Sequence, residues 1–174
     1  MDASQIAWPS EDADSDSGMM EMHHDRPTTF AGRLIAWLGA WHPAIVHFPV
    51  ALLLTAAFLE LAAAMRGKPV YAASNKIILG LAVLSAFVAA PMGWADAGLP
   101  APDDKWFLTW HRWIGTGLPV LLLLAWWLKR PPDEAAKKPS APIYEVVLVL
   151  SVLVILAQAY LGGNITHGED HLVF

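Results

Sequence analysis

Four long apolar runs separated by short polar stretches dominate the chain, at about 44–65, 77–95, 106–128 and 143–161. A lone strand in lipid would leave its backbone groups unpaired, so each run is read as helix. At about 1.5 Å per residue each is long enough to cross a hydrocarbon core about 30 Å thick. Short connections make neighbours in sequence antiparallel neighbours in space, so the expected fold is all-α, a membrane four-helix bundle over residues 42–174. Ahead of the first run, Phe30, Leu34, Trp37, Leu38 and Trp41 recur at three and four residues with Arg33 on another face. That pattern predicts a short amphipathic helix over 28–41 lying in the headgroup region. It is expected to end at His42-Pro43, because proline disfavours helix in the residue before it. Residues 1–27 are polar and acidic without a hydrophobic period, and are expected to form a disordered tail unless a partner holds them. Met1 to Trp8 has neither a positive n-region nor an apolar h-region, so no cleaved leader is expected and the first span itself is expected to direct insertion.

Composition sharpens this picture by exclusion. The chain is 56% hydrophobic and 16% charged, far more apolar than a soluble domain of its length. The net charge of −5 comes largely from the stretch Glu11 to Asp16, and no basic stripe suits nucleic acid. There is no cysteine, which excludes thiolate-held clusters, covalent c-type haem and cysteine-based zinc or catalytic sites. Any cofactor must be held by His, Met or carboxylate. No nucleophile elbow, phosphate loop, His-Glu-x-x-His or dinucleotide fingerprint is present, so no catalytic residue is assigned.

Charge in the connections sets the expected orientation. The first holds Arg66, Lys68 and Lys76 and the third Lys129, Arg130, Lys137 and Lys138, whereas the second holds Asp96, Asp103 and Asp104 against Lys105. The positive-inside rule then places the first and third in the cytoplasm and both termini outside, with Arg26 and Arg33 as the exceptions. In that topology all seven histidines fall on the outer side: His23 and His24 in the tail, His42 and His47 at the start of the first span, His111 one turn into the third, and His167 and His171 just past the fourth. Alternation of the spans alone produces this segregation, whichever side is called outside.

Histidine, like tryptophan, suits an interface, and His42 and His171 are accounted for on that ground. Ionisable residues inside spans are costly and mark sites, which singles out His47 and His111. The first and third spans stand diagonally across a bundle, so these two imidazoles approach from opposite corners, the arrangement a bis-histidine b-type haem requires. Gly115 lies one turn after His111, Gly93 follows Pro91-Met92 near the outer end of the second span, and Gly162-Gly163 closes the fourth. Small residues let helices pack closely in membranes, and their outer position also leaves room for a bulky ligand. Trp37, Trp41, Trp94, Trp106, Trp110 and Trp113 are outer, as an aromatic belt would be, with Trp126 and Trp127 inner. Asp96, just beyond the second span, is expected to be a solvated loop carboxylate, with a hydrogen bond that fixes the tautomer of a ligand histidine as the alternative. The run Met19, Met20, Glu21, Met22, His23, His24 offers soft donors that suit copper. Glu60 is expected to face the bundle interior or to snorkel, with proton shuttling as the rival reading.

At HPAIVHFPVALL, His42 to Leu53, the chain resembles a family of predicted bacterial membrane proteins, domain of unknown function 2231, whose members open their first span with a similar His-Pro and His-Phe-Pro pattern. The resemblance continues at GWADAG (Gly93 to Gly98), WHRWIG (Trp110 to Gly115) and YLGGNITHGED (Tyr160 to Asp170), so it covers roughly His42 to His171. It departs from the family at Asn164-Ile165-Thr166, where Leu-Val-Tyr is usual. The resemblance implies four spans in a bacterial membrane; with the orientation set by loop charge, the expected location is the bacterial inner membrane with both termini periplasmic. It carries His42, His47, Asp96, His111 and His167 over as matching positions. Relatives fused to Rieske-type or cytochrome c-type domains imply electron transfer by analogy.

The leading expectation is a membrane redox subunit holding haem b near the outer face through His47 and His111, with His167 as an alternative ligand. It would exchange electrons with membrane or periplasmic redox partners. The second is a bare copper or zinc site built from His47, His111 and His167, with His42 as a further candidate ligand. The third is an accessory or assembly subunit of a larger membrane complex, with no cofactor of its own and the tail as a docking arm.

Overall fold

A computed structural model describes residues 27–169. The methionine–histidine run at 19–24 and His171 lie outside those residues. Helix α1 (Phe30–Ala40) starts where the Thr29 hydroxyl accepts a hydrogen bond from the Gly32 N–H at 3.1 Å, satisfying one of the donors a helix start leaves open. Helices α2 (His42–Ile45) and α3 (His47–Arg66) follow with only Trp41 and Val46 between the three. His42 is thus the first residue of a helix rather than the end of one. Pro43 sits in the first turn, where its missing N–H costs nothing and its fixed φ suits the helix.

Helix α3 ends on Gly67, whose φ of 60° is left-handed. The Gly67 and Lys68 N–H groups then bond back to the Ala64 and Ala63 carbonyls, the double closure that a left-handed glycine permits. A 3-10 turn (Pro69–Ala72) leads into α4 (Asn75–Ala97), which contains Pro91. Helix α5 (Trp106–Leu128) contains Pro119, the short α6 (Pro132–Ala135) lies in the next connection, and α7 (Pro142–His167) closes the chain. Helix α7 runs through Gly162-Gly163 to His167, so His167 occupies its last turn.

Helices α3, α4, α5 and α7 form a ring in which each packs on the next and α7 returns to α3. Leu53, Ala56, Leu79, Ala82, Leu122, Tyr144 and Ile155 meet at the buried centre. The opposite faces expose Phe58, Leu84, Val120 and Leu153, an arrangement that is stable only where the surrounding solvent is itself apolar. Three stretches among the described residues are long and apolar enough to cross a membrane: Phe30–Arg66, Pro69–Ala97 and Pro142–His167. Helix α5 is of similar length, but its first half carries Thr109, His111, Arg112 and Thr116.

Helix α1 seats on the far end of α4. A Cβ on the buried Gly39 would stand 2.7 Å from the Asp96 nitrogen and 2.8 Å from its Cα, so only glycine lets these two backbones touch. The bundle consequently has a histidine end, covered by α1 and α2, and a lysine end, at the 3-10 turn and α6.

Candidate functional site

At the histidine end the structure brings together His42 and His111. Their ring centroids are 6.3 Å apart and their planes stand at 89°. His42 arrives from α2, and its Nδ1 donates to the Ala89 carbonyl of α4 at 3.0 Å. A carbonyl can only accept, so Nδ1 carries the proton and Nε2 of the neutral ring keeps its lone pair. The ring lies directly on Gly93, one turn after Ala89: a Cβ there would fall 2.8 Å from His42 Cε1 and 3.2 Å from each ring nitrogen.

His111 of α5 is half-buried, and its Nδ1 is buried without a hydrogen-bond partner. On its α7 side stands Gly162, where a Cβ would lie 3.4 Å from His111 Cε1. Gln158, one turn before Gly162, donates from Nε2 to the His111 carbonyl at 2.9 Å. Gly115 makes room for that amide, since a Cβ at 115 would be 2.6 Å from Gln158 Nε2. The expected space for a ligand at Gly115 is therefore filled by the chain itself. Sequence reasoning missed Gln158; a lone amide in an apolar run, where a polar group demands a partner, was the available signal.

The remaining predicted residues lie elsewhere. His47, first in α3, is exposed. Five positions along a helix turn by roughly 140° relative to a full circle, so a chain that aims His42 at the bundle turns His47 away. His167 is exposed at the end of α7. Among the described residues no three His, Asp or Glu side chains come together as a metal-ligand set, so His47, His111 and His167 are not assembled into one. Asp96 is exposed and takes no histidine hydrogen bond among the described residues; its backbone seats Gly39, and the Ala89 carbonyl orients His42 instead.

Arg112, beside His111, is buried. Its Nη1 donates to Asp104 at 2.7 Å and its Nη2 to the Ala97 carbonyl at 3.2 Å, with the guanidinium 5.3 Å from the centre of the Trp94 ring. The Arg112 guanidinium, helped by the Ala101 N–H, holds the Asp104 carboxyl below its usual range. This clamp ties the α4–α5 connection to the turn that presents His111.

The lysine end is built differently. Lys129, only 3% exposed, donates to Glu60 Oε1 and to the Ser140 hydroxyl at 3.1 Å. Ser140 donates to Glu60 Oε2 at 2.8 Å, and Asn75 Nδ2 donates to Glu60 Oε1 at 3.0 Å and to the Ala56 carbonyl at 2.9 Å. Lys76 caps α5 by donating to the Trp126 and Lys129 carbonyls at 2.6 and 2.9 Å. Glu60 thus faces the interior, one of the two expected placements, and sequence alone did not name its counter-charge.

The profile of the DUF2231 family, described as a predicted membrane protein, matches residues 39–170, a span that includes His42, His111, Glu60 and Lys129. No curated protein and no solved structure matches the chain. Helices fit to cross a bilayer, together with a family match over most of the length, make this a membrane protein, and the chain belongs to the DUF2231 family.

Proposed function

We propose that the protein is a membrane redox subunit that holds a b-type haem at its histidine end through His42 and His111. The observation that carries this reading is the separation of the two rings. His42 and His111 would hold the group between them, their centres 6.3 Å apart, the spacing at which two imidazoles would share one metal. The unpartnered His111 Nδ1 fits the reading. His42, with Nδ1 held by Ala89, would offer Nε2. When bound, haem would supply a one-electron couple; the Ala89 carbonyl would hold the His42 ring and Gln158 would bond the His111 backbone. The partners would be a donor or acceptor reaching this end and a redox carrier in the bilayer. Helix α1, with Phe30, Leu34 and Trp37 exposed and the exposed Trp41 just past its end, would lie in the headgroup layer beside it.

The test is a reduced-minus-oxidised absorption spectrum with a pyridine haemochrome assay on detergent-purified full-length protein made with haem available. A b-type signal that disappears in His42→Ala and in His111→Ala, and survives in His47→Ala, is the expected result. A featureless spectrum from folded protein overturns it. Bound metal without porphyrin absorbance would assign the pair to a bare ion.

A further inference from the structure

An open cleft of about 280 Å³ lies at the lysine end, where α3, the 3-10 turn, the α5–α7 connection and the start of α7 meet. Much of its wall is small, Ala63, Ala64, Gly67 and Ala72, and its volume is many times what a single water requires. Three charged side chains line it: Glu60, Lys138 and Glu145. Glu60 is already answered by Lys129, Ser140 and Asn75. Lys138 and Glu145 are exposed, and among the described residues neither side chain forms an ion pair or a hydrogen bond. The cleft therefore presents one ammonium and one carboxylate that the protein leaves open. It also stands at the edge of the apolar band. Glu145 is in the first turn of α7, followed by the exposed Val146 and Val149, while the exposed Leu61 and Met65 neighbour Glu60 and Ala64 on α3. The α3–α7 seam is the most sparsely packed of the four in the ring. Glu145, Val149, Val152 and Leu156 recur at three and four residues, so one face of α7 leads from the cleft into the bilayer.

We infer that this cleft seats a phospholipid with a phosphoethanolamine headgroup: its phosphate on Lys138, its ammonium on Glu145, and an acyl chain along the Val149 and Leu156 face of α7. A zwitterion answers both open charges at once, each through a charge-assisted hydrogen bond. A headgroup with phosphate but no amine would satisfy Lys138 and set another negative charge beside Glu145 and Glu60. A trimethylammonium headgroup has the right charges but no N–H to donate to the carboxylate. The apolar residues that flank the cleft favour a lipid over a soluble phosphoamine, because they leave a hydrocarbon path for its tail. The inference is independent of what the histidine end binds.

The experiment is native mass spectrometry of the full-length protein, delipidated in detergent and then incubated with equimolar phosphatidylethanolamine, phosphatidylcholine and phosphatidylglycerol of matched chains. Phosphatidylethanolamine adducts are expected to exceed each of the others several-fold. Lys138→Gln and Glu145→Gln are each expected to abolish that preference, whereas Lys137→Gln, one residue away but outside the cleft lining, keeps it. Both cleft side chains are exposed, so the variants are expected to retain the thermal midpoint of the lipid-free protein, which separates loss of the site from loss of the fold. Preferential retention of phosphatidylglycerol overturns the inference and makes the lysine end a basic patch for anionic lipid. Equal retention of the three lipids, or a preference that survives in both cleft variants, overturns it as well.

Discussion

The two ends of the bundle solve the same problem, polar groups placed among membrane helices, in opposite ways. At the lysine end the charges answer one another: Glu60 is bonded by Lys129, Ser140 and Asn75, and Lys76 caps the carbonyls that end α5. At the histidine end no carboxylate among the described residues bonds to either ring. One imidazole is anchored by a backbone carbonyl, the other keeps an unpartnered nitrogen, and glycines stand where side chains would crowd them. A buried group left unpaired costs about 1–3 kcal/mol, so the unpartnered His111 nitrogen is a cost that a ligand bound there, as proposed above, would offset.

The contrast breaks most sharply at the ion pair. Removing one partner of a buried pair costs about 3–5 kcal/mol because the other charge is stranded, so Lys129→Met and Glu60→Gln are each expected to lower the thermal midpoint in detergent strongly. The double variant should recover most of the loss. Equal loss in single and double variants would mean that packing, not charge, holds that end.

Next in size is Gly39→Ala. The added Cβ would press on the Asp96 and Ala95 backbone at 2.7–2.9 Å, and overpacking of that kind costs about 1–3 kcal/mol. It should also lift α1 and α2 and weaken the His42 Nδ1 bond to Ala89, seen as loss of the imidazole N–H resonance by NMR. An unchanged resonance would show that α1 does not set the position of His42.

The smallest effect is expected at Asp104. Its carboxyl is held below the usual range by Arg112, so its contribution is fully present above the ordinary carboxylate pKa of about 3.9 and fades as pH falls through the lower, folded value. The midpoint of the protein should therefore slope downward in that acid window, and Asp104→Asn should flatten the slope. A slope unchanged in that variant would place the acid sensitivity elsewhere. Asp104 is near the surface, and salt should weaken the effect.

How far the fold could be read from the chain follows from what each feature depends on. The long helices were legible because lipid forbids anything else for runs of that length. The histidine pairing was not, because it turns on Pro43. Read as a breaker, Pro43 makes His42 an interfacial residue and leaves His47 to face the core; placed in the first turn of α2, it carries His42 inward to Ala89 and Gly93. Gly115 was legible as a small residue on the His111 face, but whether a ligand or Gln158 fills the gap depends on α7, which the local pattern cannot see. Glu60 was legible as a buried acid, whereas Lys129 lies far along the chain, and only packing brings the two together.

The carbonyl that anchors His42 belongs to α4, and the ring that His42 meets belongs to α5. A ribosome delivers these in order, so the two-imidazole arrangement does not exist in the nascent chain until the third long helix has emerged and docked. A ligand held by both rings, as proposed above, would therefore bind only once α5 is in place, and its binding would report finished assembly.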